Sequence, residues 1–452
     1  MAIYDLDGNE LSAAYDLNDD LLDAVYDLNG NQIFPEGDVL TSFQMFYPND
    51  ASDDYQVNDG ANLSLTPDQF LALKYDGYLS SQPEGITVTK TSIGKDSTNT
   101  YDIWEYTFTP ANPKRKILLA SGEHAYETTA TFGLALFLYH LYVVDDNDAF
   151  AYIRNNVEIK VVPIFNPWGW SQVPKTYGVS GGINPERNFN YNGLWEQFTS
   201  SGDTWNKKGD YPFQTGETRV MAKWQMDNQD ADYFLNCHTD ETGSNYDLWV
   251  DYMANTYAVT AILAALDKNK TLFQSKFGST ARVNQVSTSY PNNTGYGMHG
   301  MFNIRCVKAT GFTVEQAAHN TIFGNGKSNS AGGINNYASV LSTYVMEMLL
   351  NKYQSIYDAI HPNDTKPITS VTISNVSMTS SDYSKTVSLS MTPNDTTQFT
   401  FDWVSSDTSV CEVWGCTDQA VIVKRGTGTA TITVTNRQNN QISASFTVTV
   451  TS

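Results

Sequence analysis

Basic residues are scarce in this 452-residue chain: 27 Lys and Arg stand against 49 Asp and Glu, a formal charge of −22. A field of that sign repels nucleic acid and anionic membrane surfaces, so neither is expected as a partner. Cysteine is scarce too. Cys237, Cys306, Cys411 and Cys416 make no disulfide framework. Only Cys411 and Cys416 are close enough in sequence to bridge a hairpin, and their spacing leaves the pairing open. Long apolar runs are missing as well. The opening stretch MAIYDLDGNELSAAYDL is acidic, so neither a Sec-type signal peptide nor membrane insertion is expected. The expectation is an extracellular or virion-associated protein that leaves the cell by another route, such as lysis, or on a particle.

Aromatic residues, by contrast, are plentiful, with 27 Tyr, 21 Phe and 9 Trp. This suits a folded, β-rich, extracellular-type protein better than a disordered one. The length exceeds one ordinary core, and two or more domains are expected.

Residues 1–40 form a repeat segment. Tyr4, Tyr15 and Tyr26 are each followed by Asp-Leu, at a step of 15 − 4 = 26 − 15 = 11 residues. Asp7-Gly8 and Asn29-Gly30 are hairpin turn signals, so small β-hairpins serving attachment or homo-oligomer contact are expected. A calcium loop through Asp5, Asp7 and Asn9 is disfavoured, because Gly8 stands in the wrong place for it.

Residues 41–362 alternate strand-like and helical patterns. A helix starts at Thr66-Pro67-Asp68 and runs to about Leu79. Strand patterns follow at 86–91 and 104–108, and Ile117-Leu118-Leu119-Ala120 reads as a buried parallel strand. A helix over 128–144 carries Phe132, Leu136, Tyr139 and Val143 on one stripe. Strands at 157–165, 233–237 and 307–314 alternate with helices at 217–229, 256–266 and 336–360. This is an α/β domain around a mostly parallel or mixed sheet flanked by helices. Beyond Pro367 the composition turns to Ser, Thr and Val. Seven short alternating runs over 367–452 predict an all-β sandwich with Trp403 as core anchor.

The chemistry-bearing residues all fall at the carboxyl ends of the expected strands, where open parallel sheets bind ligands. His124 and Glu127, in GEHAYE, follow the strand at 117–120. On their own they also read as two surface polar residues. His238 follows 233–237, and Glu315 follows Gly311-Phe312-Thr313-Val314. Two imidazoles and a carboxylate are the three protein ligands of a catalytic zinc, with a fourth position for water of pKa near 7. A further carboxylate must take that water's proton, and Glu315 is placed for it. The other candidates read as structural. His140 packs in a helix; His299, His319 and His361 lie at the surface; Cys237 is buried filler; Asp240 and Glu241 cap a helix.

GEHAYE, NPWGW, INPERNFN, LNCHTD and GFTVEQ, in that order, resemble the motif series of the zinc carboxypeptidase family over roughly residues 62–360. The resemblance implies one zinc ion on His124, Glu127 and His238, with Glu315 as general base and acid. It implies Arg187 as a bidentate clamp on the substrate's terminal carboxylate. Three positions depart from the family. Glu186 replaces the Asn that usually precedes that Arg, and an acid there weakens the pocket or retunes it for an amine. Asn184 stands where an Asp usually orients the first zinc His. The Arg that polarises the scissile carbonyl has no counterpart, and Lys175, the nearest cation, is expected to act as a point-charge substitute. The mobile Tyr over the substrate aligns with Tyr290 or Tyr296, and Gly295 five residues on favours Tyr290.

Residues 403–410 and 428–434 resemble bacterial group 2 immunoglobulin-like domains, which implies contact with a bacterial surface component. Three functions are therefore expected in order. The first is zinc-dependent hydrolysis of a peptide, with peptidoglycan stem peptides as a natural substrate on a phage or prophage particle. The second is an inactive fold used for adhesion, which Glu186 and the missing Arg favour and the intact four-residue set opposes. The third is a metal-dependent amide or ester deacylase.

Overall fold

A computed structural model describes residues 64–144, 148–191, 193–200, 206–231, 233–240, 366–396 and 398–452. Shorter stretches are described at 25–26, 32–34, 247–251, 282–284 and 310–317, with single helical positions between 302 and 345. In the repeat segment, β1 (Val25–Tyr26) pairs antiparallel with β2 (Gln32–Phe34), flanking Asn29-Gly30. The other repeats lie outside the described residues, as do the helix expected at 256–266 and His299, His319 and His361.

The chain enters the main fold through α1 (Pro67–Lys74), whose Thr66 and Gln69 form a reciprocal capping box. The helix expected to reach Leu79 instead breaks at Tyr75, and α2 (Gly77–Ser80) follows. At the break, the Asp76 carboxylate accepts hydrogen bonds from Lys90 and Tyr106. A hairpin of β3 (Ile86–Lys95) and β4 (Asp102–Pro110) leads to β5 (Arg115–Ser121). Then come α3 (Thr128–Tyr139), a π-helical turn at His140–Val144, α4 (Asp148–Asn156) and β6 (Val157–Val162). β6 ends three residues earlier than expected because Pro163 has no N–H to give to a ladder. After α5 (Pro167–Ser171), α6 (Leu194–Gln197) and α7 (Gly216–Asp227) come β7 (Tyr233–Asp240), β8 (Asp247–Asp251), β9 (Arg282–Asn284) and β10 (Thr310–Ala317).

These strands make one eight-stranded mixed sheet in the order β3-β4-β6-β5-β7-β10-β8-β9. Its centre, β6-β5-β7-β10, is parallel. Both faces of that centre are covered, which is why Ile117, Leu118, Leu119 and Ala120 are all fully buried without alternation. The expected single stripe on the helix after β5 is corrected. Every residue of α3 from Thr128 to Leu138 is buried, whereas Tyr139 and Val143 are exposed. A helix buried all round sits inside the fold rather than on it. Gly133 is part of the reason, since a Cβ there would meet the Tyr337 ring at 2.7 Å.

The C-terminal region is all β. β11 (Ser370–Thr372) pairs with β14 (Ser390–Thr392). β12 (Val376–Met378), β19 (Ser443–Val450), β18 (Gly428–Asn436) and β15 (Phe401–Ser405) form a four-stranded sheet. β13 (Ser384–Ser388), β17 (Gln419–Lys424) and β16 (Cys411–Trp414) form a three-stranded one. The seven expected runs thus become nine strands. Trp403, Ile422, Ile432 and Phe446 share one apolar core drawn from both larger sheets. Cys411 and Cys416 are both buried thiols, unbridged.

This region is docked on the α/β fold. Cys416, Val421 and Val423 belong to the larger domain's core, and Trp414 stacks on Phe213 at 5.1 Å. Arg425 donates to the Phe213 carbonyl at 3.1 Å and lies 4.6 Å over the Tyr211 ring. No helix among the described residues is long and apolar enough to cross a membrane.

Candidate metal centre

β5 ends in a turn at Gly122, whose φ of 68° suits glycine. The chains leaving β5 and β6 are tied together there. Phe165 and Asn166 donate their N–H groups to the Ser121 and Gly122 carbonyls at 2.9 and 3.0 Å. Asn166 caps α5 by accepting from the Gly169 N–H at 2.8 Å. A Cβ on Gly169 would collide with that amide at 2.5 Å, which explains the Gly in NPWGW.

His124 lies in this turn and Glu127 is the residue before the first turn of α3. Their three-residue spacing therefore works through a tight turn, with the Glu127 N–H on the His124 carbonyl at 3.0 Å, and not through a helix face. His238 arrives from the adjacent strand. β7 runs on to Asp240, so His238 is inside the strand rather than after it, and Asp240 is a strand residue rather than a helix cap. Glu241 lies outside the described residues.

The three side chains converge. His124 Nδ1 is 2.7 Å from Glu127 Oε1, His238 Nδ1 is 3.0 Å from Glu127 Oε2, and the two Nδ1 atoms are 3.2 Å apart. All three donor atoms lie within 4.8 Å of one another, and all three residues are buried. Two imidazole nitrogens and one carboxylate oxygen at that separation fit one zinc ion. Three ligand atoms pulled this close without another reason would be costly to bury. Burial pushes the Glu127 carboxyl up, but His124 and His238 outweigh it and hold the pKa at about 2. Burial likewise disfavours the charged His238 ring, and Glu127 and Glu123 outweigh it, raising that pKa. The Glu127 carboxylate is fixed further by the Thr239 N–H at 3.0 Å.

Glu315 sits within β10, not after it, and the β7–β10 register pairs it directly with His238. Asn184 caps the 3-10 turn Pro185–Arg187 and turns its Oδ1 to His124 Nε2 at 3.1 Å. Glu186 and Arg187 are buried and ion-paired with each other, and Glu186 Oε2 lies 3.7 Å from His124 Nε2. Burial raises the Glu186 carboxyl, while Arg187 and then His124 pull it below its ordinary value. Lys175 is not brought to the cluster. Its amine bonds the Leu65 and Trp170 carbonyls and lies 4.3 Å over the Trp170 ring. That placement corrects the reading of Lys175 as a point charge at the carbonyl, and burial lowers its pKa to about 7. Tyr290 and Tyr296 lie outside the described residues. His140 is buried beside Tyr139, and burial pushes the Cys237 thiol up to about 12.

Two further residues line the cluster. The Tyr177 ring stacks on His124 at 3.7 Å, and burial raises its phenol pKa. Glu123, fully buried, sits 3.2 Å from His238 Nε2. Tyr177 gives no sequence signal. Glu123 is adjacent to His124 but reads there as a turn acid.

Two His and one Glu gathered at the central strands of a mixed sheet define a candidate zinc-protein site. The sequence profile of the zinc carboxypeptidase family matches residues 81–339, more than half of the chain, and the chain belongs to that family. Among solved structures, thrombin activatable fibrinolysis inhibitor is similar with a TM-score of 0.52 and 13% identity, over 67% of this chain and 79% of that one. That is a likeness of fold. Carboxypeptidase A from Helicoverpa armigera gives 0.48 and 15%, over 64% and 74%. The metallo-carboxypeptidase from Burkholderia cenocepacia gives 0.44 and 15%, over 64% and 70%. No curated protein matches the chain.

Proposed function

We propose that the chain hydrolyses a peptide or peptide-like amide bond at one zinc ion held by His124, Glu127 and His238. The observation that carries this is the convergence of two Nδ1 atoms and one carboxylate within 4.8 Å at the sheet's centre. Zinc in such a site lowers the pKa of a water ligand to about 7 and polarises the scissile carbonyl. Glu127 is held toward the two imidazoles by the Thr239 N–H at 3.0 Å, which keeps its carboxylate in the donor set. Glu315, level with His238 across the β7–β10 ladder, takes the proton of the attacking water and returns it to the leaving amine. Tyr290 caps the substrate.

Arg187 and Glu186 set the substrate's far end. An Arg already paired with a buried acid binds a second carboxylate less well, because that carboxylate must approach Glu186. This favours an amide, or a group carrying an amine, over a free terminal carboxylate. It also supports the deacylase reading beside the carboxypeptidase one. Stem peptides of peptidoglycan, which can carry amines and amidated carboxyls, are substrates of that kind. The β region, whose two larger sheets enclose Trp403, serves as an immunoglobulin-like contact with a bacterial surface on an extracellular or virion-associated protein. In this reading residues 41–362 are the catalytic domain, 367–452 the β module and 1–40 an oligomer or attachment segment.

The test is turnover on a panel of muropeptides and peptides, each as free acid and amide, by the wild type and Glu315→Gln. The variant is expected to lose about 10²–10⁴ in kcat. Equal rates would remove Glu315 from the chemistry. Glu186→Asn should shift the kcat/KM ratio toward free acids by about tenfold, the effect of roughly one pKa unit of charge interaction. An unchanged ratio removes Glu186 from specificity.

A further inference from the structure

The two imidazoles of the cluster are supported differently on their outer sides. His124 Nε2 is hydrogen-bonded to a neutral amide oxygen, Asn184 Oδ1, at 3.1 Å, with Glu186 Oε2 further off at 3.7 Å. His238 Nε2 faces a carboxylate, Glu123 Oε2, at 3.2 Å. Glu123 is fully buried, and the same oxygen accepts a hydrogen bond from Asn236 Nδ2, two residues before His238 on β7. Burying a carboxylate costs several kcal/mol unless it is compensated. The Asn236 amide and His238 itself supply part of that compensation.

We infer that Glu123 is a positioning residue for the metal: a buried carboxylate that fixes and strengthens His238 as a zinc ligand through the far side of its ring. The inference rests on the zinc reading of His124, Glu127 and His238. Glu123 is not a fourth ligand, because it meets Nε2 while the cluster meets Nδ1, on the other side of the imidazole. Accepting the Nε2–H holds the ring in the tautomer whose Nδ1 lone pair faces Glu127 and His124. A carboxylate there also makes Nδ1 a better electron donor than an amide would. It offsets positive charge across the ring without occupying a coordination position. Asn184 cannot supply that charge to His124, and the carboxylate nearest His124 Nε2, Glu186 Oε2 at 3.7 Å, is beyond hydrogen-bond distance and ion-paired with Arg187, so the hydrogen-bonded outer carboxylate stands on the other histidine. Asn236 fixes Glu123 in turn, which places the whole relay, Asn236–Glu123–His238, on β7 and the turn after β5.

The experiment is zinc affinity of the full chain by competition with a chromogenic chelator, for the wild type, Glu123→Gln and Asn236→Ala, with cobalt-substituted absorption spectra of each. Glu123→Gln keeps the shape and the hydrogen-bond acceptor but removes the charge. It should weaken zinc about 10- to 100-fold and shift the visible cobalt bands, with the thermal midpoint of the metal-free protein unchanged. Asn236→Ala should weaken zinc less, in the same direction. Should Glu123→Gln not fold, the cobalt bands and zinc affinity of Asn236→Ala carry the test alone. Zinc affinity within twofold of wild type and unshifted cobalt bands in the soluble variants would overturn the inference while leaving the zinc site standing. A wild type that binds no zinc would overturn both.

Discussion

The α/β region and the β region bury their polar groups by different rules. In the α/β region the buried set includes Glu105, Glu123, His124, Glu127, Lys175, Glu186, Arg187, Glu217 and His238. Among the described residues of the β region it is Ser384, Thr396, Thr417 and Asn436, with no acid, base or histidine. Neutral groups of that kind are satisfied by ordinary hydrogen bonds, as where Asn436 Nδ2 donates to the Gln398 and Thr400 carbonyls at 2.7 and 3.3 Å. Buried charges need partners and are costly to keep, and Glu123, His124, Glu127, Glu186, Arg187 and His238 gather at the metal cluster, whereas Glu105, Lys175 and Glu217 are held elsewhere. The contrast assigns reactivity to one region and packing to the other.

Substitutions can break that division. Glu127→Ala should have the largest effect. Zinc content should fall from one per chain to near zero, and turnover by about 10³-fold or more, since the metal supplies several kcal/mol. Elemental analysis beside rate measurement checks it. Trp403→Ala should cost about 3–5 kcal/mol of stability in denaturant unfolding, because it empties the β core. Its zinc content should stay at one per chain; loss of zinc would mean the regions are not separable in this way. Thr66→Ala, which removes half of a capping box, should cost about 1 kcal/mol by the same measurement.

A further effect is a slope with pH. Lys175 has a folded pKa of about 7, below its unfolded value, so between those two values the unfolded chain binds the extra proton. Stability from this group therefore rises as pH rises above 7. Lys175→Met removes the rise, so its thermal midpoint relative to wild type should be more favourable at pH 6 than at pH 10. The opposite order would mean that Lys175 stays charged when buried.

Much of the α/β pattern was legible because apolar runs without alternation, such as Ile117–Ala120, mark the covered centre of a sheet. The helix α4 was not, since the acidic run Asp145-Asp146-Asn147 leads straight into its first residue, Asp148, and masks its start. The break at Tyr75 was not, because it depends on Asp76 meeting Lys90 and Tyr106 across other elements. Of the site, His124, Glu127 and His238 were legible from motifs at strand ends. Glu123 was not, because its partner His238 lies 115 residues further on and only the β5–β7 pairing brings the two together. Lys175 was misread for the converse reason: sequence proximity to NPWGW says nothing of an amine folded back onto the Leu65 and Trp170 carbonyls.

Anomalous diffraction at the zinc edge, on crystals grown with zinc, tests the metal site most directly. One peak should stand between His124 Nδ1, His238 Nδ1 and the Glu127 carboxylate, and vanish in His238→Ala. No peak there in the wild type, or one that survives His238→Ala, would contradict the account.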